Sequence, residues 1–276
     1  MTPSTLMNEV RASYAFVERN FNLVRRYWGW EAVWVMYGVA NALAVTYIGA
    51  GMGALTGQQV DTDFLILYLL IGTVIWRYLS IVFDSLSEVI MWERWEGTIE
   101  YTFMAPVDRL THLVGQTIFS IIYGILQAGI ILAVVALFFR LDMSQANYMS
   151  ALAVLLAGSL SFVGVGIIAA VLPMLYPERG AQMTNFAQAL FLLASGVYYP
   201  VEVLPPWLQA ISRLSPATYT LEGVRAALLD GASVQSLMPT IGLLIVIGLV
   251  TIPLGVVIFQ WGERYAKRTG KLKRNG

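Results

Sequence analysis

The sequence predicts an all-α membrane protein that crosses the bilayer six times. Of its 276 residues, 58% are hydrophobic and only 12% are charged, and the mean hydropathy is +0.68. Soluble domains carry about 25% charged residues. One helical crossing takes about 20 apolar residues, so this chain has room for roughly six.

The first element is a predicted amphipathic helix within residues 1–29. Its apolar residues recur three and four positions apart, with charged residues on the opposite face, so we expect it to lie along the membrane surface. The alternative is a soluble helix packed on a cytoplasmic partner. No apolar core separates its charges, which argues against a cleaved signal peptide. The apolar residues are Leu6, Val10, Tyr14, Val17, Phe21 and Val24, and the charged ones include Glu9, Arg11, Glu18, Arg19 and Arg25.

Six long apolar runs follow, and each predicts a membrane-spanning helix. They run approximately from Trp30 to Gly49, Phe64 to Phe83, Leu113 to Phe139, Tyr148 to Tyr176, Ala181 to Tyr198 and Met238 to Trp261.

The distribution of Lys and Arg predicts the orientation of these spans. Among the 17 basic residues, Arg140, Arg213 and Arg225 fall in segments on one side and Arg77 lies within the second span. The other thirteen share the side of the N-terminus. Basic residues concentrate in cytoplasmic loops, so both termini are predicted to be cytoplasmic, including the basic tail at 262–276.

The loop at about 91–106, between the second and third spans, predicts a rigid amphipathic helix. Its acidic stripe could dock in a basic groove of a partner protein, or it could simply be solvated. Gly97 permits a close backbone approach, and Pro106 ends the helix. The apolar stripe is Trp92, Trp95, Ile99 and Phe103, and the acidic stripe is Glu93, Glu96 and Glu100.

Two spans carry polar faces that could line a path through the membrane. Charged groups inside a span are costly unless they are paired, reach the interface or face a water-filled cavity. For Arg77 the alternative is anchoring at the interface, and for the fifth span it is hydrogen bonding between helices. The face of the second span is Thr73, Arg77, Ser80, Asp84 and Ser87; that of the fifth is Asn185, Gln188, Leu192, Ser195 and Tyr199. Small residues elsewhere predict only close packing: Gly124, Ala128, Ala157, Ser161 and Gly164.

The connection at about 199–230 predicts one or two short helices that dip into the outer leaflet. Pro residues suit the first turn of such helices. Glu222 and Arg225 are three residues apart and could form an ion pair, which would lower the cost of burying either. The residues singled out here are Pro206, Trp207, Pro216, Tyr219, Glu222 and Arg225.

No catalytic set emerges from the sequence. His112 is expected to be a solvated residue at the membrane interface, and no cluster has the spacing of metal ligands. Thr269-Gly270-Lys271 lacks the upstream glycine of a phosphate-binding loop. The chain has no cysteine and no net charge, which excludes disulfides and gives no support for nucleic-acid binding. An intramembrane enzyme is therefore disfavoured.

The order of features resembles the permease of ABC-2 type exporters over nearly the whole chain. Glu93…Glu96-Gly97-Thr98-Ile99-Glu100…Ala105-Pro106 is similar to the coupling-helix motif of that family. Ser195-Gly196-Val197-Tyr198-Tyr199-Pro200, Leu204-Pro205-Pro206-Trp207-Leu208 and Ser215-Pro216-Ala217-Thr218-Tyr219…Arg225 resemble the end of its fifth span and its external re-entrant helices.

The resemblance implies a division of labour between chains. Residues 1–29 would be the connecting helix and 30–276 the transmembrane domain. Glu93, Glu96, Gly97, Thr98, Glu100 and Pro106 would couple it to nucleotide-binding ATPase subunits, which bind ATP and Mg, whereas this chain binds no cofactor. Two permease copies, or two related permeases, would form the path for a drug-like, lipidic or glycan substrate across a bacterial or archaeal inner membrane. The alternative is a secondary transporter or channel, although spans one to three do not repeat in four to six.

Overall fold

The computed structural model describes residues 3–57, 61–87, 89, 91, 97, 109–176 and 178–269, and the described chain folds into helices joined by turns. The helices are α1 (Pro3–Arg26), α2 (Trp28–Thr56), α3 (Thr62–Ser87), α4 (Arg109–Phe139), α5 (Tyr148–Ala169), α6 (Val171–Leu175), α7 (Gly180–Ala194), α8 (Pro206–Ser212), α9 (Pro216–Leu229) and α10 (Met238–Arg268), with a 3-10 turn at Val201–Val203.

Five helical segments in the described chain are long and apolar enough to cross a membrane: Trp28–Ala54, Thr62–Ser87, Thr111–Phe139, Tyr148–Leu175 and Met238–Arg268. They match five of the six predicted spans. The segment predicted as the fifth span forms α7, whose 15 residues extend only about 22 Å. The helix ends at Ala194, and Gly196 adopts a φ of 70° that a continuing helix cannot accommodate. The crossing by residues 181–198 therefore stays a prediction.

Helix α3 lies at the centre of the molecule and packs against α2, α4, α5 and α9. Its side chains Tyr78 and Phe83 are among the largest that are fully buried. The hydroxyl of Tyr78 forms a hydrogen bond with Ser159 of α5. Gly124 of α4 faces the Tyr78 ring, and a Cβ atom there would lie only 2.8 Å from it. The predicted close packing at Gly124 is confirmed.

Helices α5 and α10 pack along each other through small side chains. The hydroxyl of Ser161 donates a hydrogen bond of 2.6 Å to the carbonyl of Leu244. A Cβ atom on Gly164 would lie 2.2 Å from the Thr251 hydroxyl, so only glycine fits this contact. The close packing predicted for Ser161 and Gly164 is confirmed.

Helix α10 carries a row of three glycines, two of which face α5 while Gly262 faces α6. Gly248, Gly255 and Gly262 recur every seven residues and are all buried, so they lie on one face. A Cβ atom on Gly255 would lie 2.8 Å from the Gly164 carbonyl oxygen, and one on Gly248 would lie 2.7 Å from Leu160. We refer to Gly248, Gly255 and Gly262 as the glycine row. Small residues of this kind let membrane helices approach closely.

Helix α1 packs against the start of α4. Asn20 donates a hydrogen bond of 2.8 Å to Gln116, and Ser13 donates one of 3.1 Å to the Thr111 carbonyl. Val10 and Tyr14 remain exposed, at 58% and 68%. The predicted helix is confirmed, and its contact with α4 is made by a polar face in addition to part of the apolar one.

The expectation of a solvated His112 is wrong. Its side chain is only 8% exposed, and its ring lies 4.4 Å from that of Phe16, centroid to centroid. The docking of α1 covers this residue, and a contact between segments almost 100 residues apart leaves no local sign in the sequence.

Candidate functional site

A polar cavity of about 260 Å³ lies between α2, α3, α4 and α7. It unites residues that the sequence placed on the polar faces of two different spans. Its lining consists of Tyr37, Gly38, Asn41, Ala42, Thr73, Val74, Trp76, Arg77, Ser80, Asp84, Ile131, Gln188 and Tyr198. The cavity thus brings Thr73, Arg77 and Ser80 of the second predicted span together with Gln188 of the fifth.

A hydrogen bond between side chains joins α7 to α3 at this cavity. The side-chain amide of Gln188 donates to a carboxylate oxygen of Asp84 at 2.5 Å. Thr73 turns its hydroxyl back onto its own helix, where it donates to the Leu69 carbonyl at 2.8 Å. Asn185, one turn before Gln188, is exposed and does not line the cavity.

Arg77 is the basic residue of this cavity. It is half-buried, and its buried Nε has no hydrogen-bond partner among the residues that the structure describes. The sequence placed it about two turns from the cytoplasmic end of its span, close enough to reach the interface. In the structure α3 continues to Ser87, so Arg77 lies about 15 Å from that end.

A polar network beside the cavity was missed in the sequence. Tyr123 of α4 donates its hydroxyl hydrogen to the carboxylate of Glu31 in α2, and Gln127 donates to the Tyr123 oxygen. The charge of Arg77 is close enough to act on the Tyr123 hydroxyl. Gln127 inside an apolar run was the available signal, because buried amides in membrane helices need partners.

An outer cavity of about 430 Å³ lies between the start of α3, the turn after α7 and α9. Tyr199 and Glu222 belong to its lining, as does Ser195, which is buried and shares a 2.8 Å hydrogen bond with Ser215. The lining residues are Phe64, Tyr68, Ser195, Gly196, Tyr199, Pro200, Val201, Glu202, Glu222, Arg225, Ala226, Leu229 and Asp230.

Arg225 holds this region together. Its Nη1 donates to the carbonyl of Gly196 at 2.8 Å, and its Nη2 donates to that of Val197 at 2.5 Å. Its Cζ lies 3.6 Å from the centroid of the Tyr68 ring. Gly72 makes room for this arrangement, because a Cβ atom there would lie 2.1 Å from the Val197 oxygen. We refer to these contacts of Arg225 as the arginine clamp.

The ion pair predicted between Glu222 and Arg225 is not formed. The two charges attract each other at longer range, but the guanidinium is committed to backbone carbonyls and Tyr68. Glu222 is exposed at the cavity. Partial burial raises the pKa of its carboxyl group, and the like charge of Glu202 raises it further.

The short helices predicted at about 199–230 are present. Pro206 and Pro216 each occupy the first turn of a helix, α8 and α9. Trp207 is 65% exposed, and the Tyr219 hydroxyl donates to the Arg213 carbonyl at 2.7 Å. How deeply these helices enter a leaflet stays a prediction.

An apolar cleft of about 420 Å³ adjoins both cavities through shared lining residues. It is lined by Val45, Ile48, Gly49, Met52, Phe64, Leu65, Tyr68, Leu69, Tyr198, Tyr199 and Pro200. Tyr198 is common to the cleft and the polar cavity. Phe64, Tyr68, Tyr199 and Pro200 are common to the cleft and the outer cavity. The polar cavity therefore lies beside the second half of α3, and the cleft and the outer cavity both lie beside its first half.

Of the predicted coupling segment at about 91–106, the structure describes only Met91 and Gly97. Glu93, Glu96, Thr98, Glu100 and Pro106 lie outside the described residues. Gly97 lies in a turn with a φ of 73°, which is the left-handed conformation that glycine adopts most easily. Within the described part of the chain, no group of three or more His, Asp or Glu side chains is placed to hold a metal ion.

Comparison with known proteins identifies relatives of this chain. A family profile described as "ABC-2 type transporter" matches residues 14–229. The inner membrane transport permease YadH of Escherichia coli (strain K12) is 24% identical over 217 residues, which cover 78% of this chain and 83% of YadH.

Two further relatives are matched over a smaller part of their length. The linearmycin resistance permease protein LnrN of Bacillus subtilis (strain 168) is 23% identical over 167 residues, covering 60% of this chain and 43% of LnrN. The E. coli (strain K12) protein named "Probable multidrug ABC transporter permease YbhR" is 24% identical over 159 residues, covering 58% of this chain and 43% of its own. This chain thus spans less than half the length of these two relatives.

Proposed function

This chain belongs to the ABC-2 type transporter family, and from that premise we propose that it is the permease subunit of an ATP-driven exporter. It is an integral membrane transport subunit and not itself an enzyme. In the proposed assembly it forms the substrate pathway with a second copy of itself or a related permease. Separate nucleotide-binding subunits bind ATP and Mg and drive the movement.

The observation that supports this proposal is the distribution of cavities along the length of α3, with the polar cavity at one half and the cleft and outer cavity at the other. Asp84 lines the polar cavity and Phe64 lines both the cleft and the outer cavity. Twenty residues separate them on one helix, which corresponds to about 30 Å. The hydrocarbon core of a bilayer has about the same thickness. Cavities distributed over this length of α3 support passage across the membrane.

The proposed direction follows from the distribution of basic residues. If the N-terminus and the end of α10 are cytoplasmic, the end of α3 at Ser87 faces the cytoplasm and its start at Thr62 faces outward. The polar cavity then lies in the cytoplasmic half of the membrane, and the outer cavity opens on the other side.

We propose a drug-like, lipidic or glycan substrate. Two relatives are named for linearmycin resistance and for multidrug transport, which favours the drug-like class. The aromatic side chains Phe64, Tyr68 and Tyr199 line the outer half of the route and offer flat apolar surfaces to such molecules.

The test is assembly with an ATPase. The full-length chain is co-expressed with nucleotide-binding subunits of ABC-2 exporters from its own organism, purified through a tag on the permease, and reconstituted. We expect one ATPase to co-purify and its hydrolysis to drive export from cells. A matched complex with an inactivated ATPase should assemble without exporting. Transport that persists without any ATPase, driven by an ion gradient, would favour the secondary transporter instead.

A further inference from the structure

The polar cavity contains the guanidinium of Arg77, which has an unsatisfied donor among the residues that the structure describes. The buried Nε of Arg77 has no hydrogen-bond partner within the described residues. A charged side chain at this depth costs about 2.5–3.5 kcal/mol or more unless something compensates it. Charged residues inside membrane spans typically face the interior of a helix bundle or a water-filled cavity and often mark the path of a substrate or ion.

The nearest anionic candidate in the cavity is already engaged. Asp84 lies seven residues from Arg77 on the same helix, about 10 Å along its axis, and accepts the 2.5 Å hydrogen bond from Gln188. Glu31 accepts the hydroxyl of Tyr123. Both carboxylates accept a hydrogen bond from another side chain, whereas the Nε–H of Arg77 has no acceptor within the described residues.

The space next to Arg77 limits what this acceptor can be. A volume of about 260 Å³ is below the usual range for a complete drug-sized ligand, so it suits a head group. The adjoining apolar cleft, of about 420 Å³, is lined by aliphatic side chains such as Val45, Ile48 and Leu69. A molecule that fills both spaces has a small polar head and an apolar tail.

We propose that the polar cavity binds the oxyanion of an anionic amphiphile, a carboxylate or phosphate, through Arg77, with the apolar tail in the cleft. A guanidinium binds carboxylate and phosphate through charge-assisted hydrogen bonds that fit its planar geometry. The role of such molecules as transported substrates rests on the proposed function. The existence of the binding site does not depend on it.

The experiment measures binding to the purified full-length chain in nanodiscs of phosphatidylcholine. Four probes carry the same spin-labelled alkyl chain: a fatty acid kept ionised at alkaline pH, a lysophosphatidic acid, a neutral methyl ester and a quaternary ammonium compound. Binding is followed by quenching of tryptophan fluorescence, because Trp76 lines the cavity. The Trp76→Phe variant identifies the part of the signal that arises there.

Both anionic probes should bind about tenfold or more tightly than the ester, and the cationic probe should bind no better than the ester. Arg77→Gln should abolish this preference and Arg77→Lys should keep most of it. Arg213→Gln is the matched control, because Arg213 is exposed and outside the cavity. Equal binding of anion and ester to the unmodified chain would overturn the proposal. So would an unchanged preference in Arg77→Gln, or an equal loss in Arg213→Gln.

If Arg77→Gln does not fold, the proposal is still tested by comparing the binding of the four probes to the unmodified chain and to Arg77→Lys. Nanodiscs that contain phosphatidylglycerol distinguish the two sources of the oxyanion. If phosphatidylglycerol competes with the anionic probes, the site binds the head group of a bilayer lipid. If it does not compete, the site binds a free amphiphile. If an ATPase assembles with the permease but the permease shows no preference for anions, this inference is refuted and the proposed function is not. Anion binding without any ATPase partner refutes the proposed function alone.

Discussion

Single residues determine how the outer end of the route is held together. Arg225 reaches two backbone carbonyls and an aromatic ring because Gly72 has no side chain in the way. A buried guanidinium that lost these acceptors would be strongly destabilising. The arginine clamp therefore depends on a glycine in a different helix, more than 150 residues earlier in the chain.

Replacing Gly72 by alanine should break this arrangement. The new Cβ would lie 2.1 Å from the Val197 oxygen and 2.7 Å from Nη2 of Arg225, so we expect a loss of about 1–3 kcal/mol of stability. Thermal unfolding of the purified permease measures it. Gly129→Ala is the control, because a Cβ atom there meets nothing within 4 Å. Equal melting temperatures for the two variants would contradict the clamp.

Gln188 and Asn185 offer a matched pair one turn apart on α7. Gln188 lines the polar cavity, whereas Asn185 is exposed. Gln188→Leu should lower substrate-stimulated ATPase activity of the assembled transporter while basal activity and assembly persist. Asn185→Leu should leave the stimulated activity, the basal activity and assembly unchanged. The lost hydrogen bond to Asp84 should cost only about 0.6 kcal/mol. A destabilised Gln188→Leu variant with normal stimulation would instead make Gln188 a structural contact between helices.

At the scale of elements, the contact between α5 and α10 depends on the glycine row. Gly255→Ala would place a Cβ atom 2.8 Å from the Gly164 oxygen and force the helices apart, at about 1–3 kcal/mol. Gly242→Ala, on the same helix but in open space, should be neutral or slightly stabilising, since alanine is the better helix former. Denaturation in mixed micelles measures the free energy of unfolding of the two variants. The expectation fails if Gly242→Ala is the more damaging change.

The segment at about 91–106 is the element that we expect to transmit ATP-driven movement. Glu96→Lys and Glu100→Lys should leave the permease inserted but weaken its docking to the ATPase or uncouple hydrolysis from transport. Close charge pairs at interfaces are worth about 1.5–7 kcal/mol. Pull-down and transport assays report the two effects. Glu18→Lys, which reverses an exposed charge on α1, is the control. Normal assembly and transport in both loop variants would exclude this role.

Much of the helical framework was predictable, because apolar runs of about 20 residues are a local property. Five of the predicted spans correspond to helices with ends within a few residues, apart from α2, which extends to Thr56, and α10, which extends to Arg268. Where α7 ends was not predictable, because the apolar run continues past the Gly196 turn. The pairing of Glu222 with Arg225 was wrong for a similar reason: spacing along one helix could not reveal acceptors on another segment.

The candidate site was predictable in part. Helical spacing placed Thr73, Arg77 and Ser80 on one face, and the structure brings Gln188 to the same cavity. Ser195 and Tyr199 do not join them, because α7 ends first and they line the outer cavity. Helical spacing beyond Ala194 therefore predicted a common face that does not exist.

For the whole molecule, orientation is the property that remains to be measured. The chain has no cysteine, so single cysteines can be introduced at exposed residues. An impermeant thiol reagent applied to intact cells should label Gln145→Cys and Ser233→Cys, but not Glu18→Cys or Arg268→Cys. A permeant reagent should label all four, which establishes that each is accessible. Labelling of Arg268→Cys from outside would reverse the proposed topology.

The central position of α3 has a consequence for how the protein is made. Ser159, which bonds to Tyr78, follows it by 81 residues, and Arg225 comes about 150 residues after Gly72. At about 5–20 residues per second, Arg225 leaves the ribosome about 8–30 s after Gly72. Throughout that interval the face of α3 that packs against α9 lies in lipid, or beside the insertion machinery, without that neighbour. The packing around α3 is therefore completed only when α9, near the end of the chain, has been synthesised.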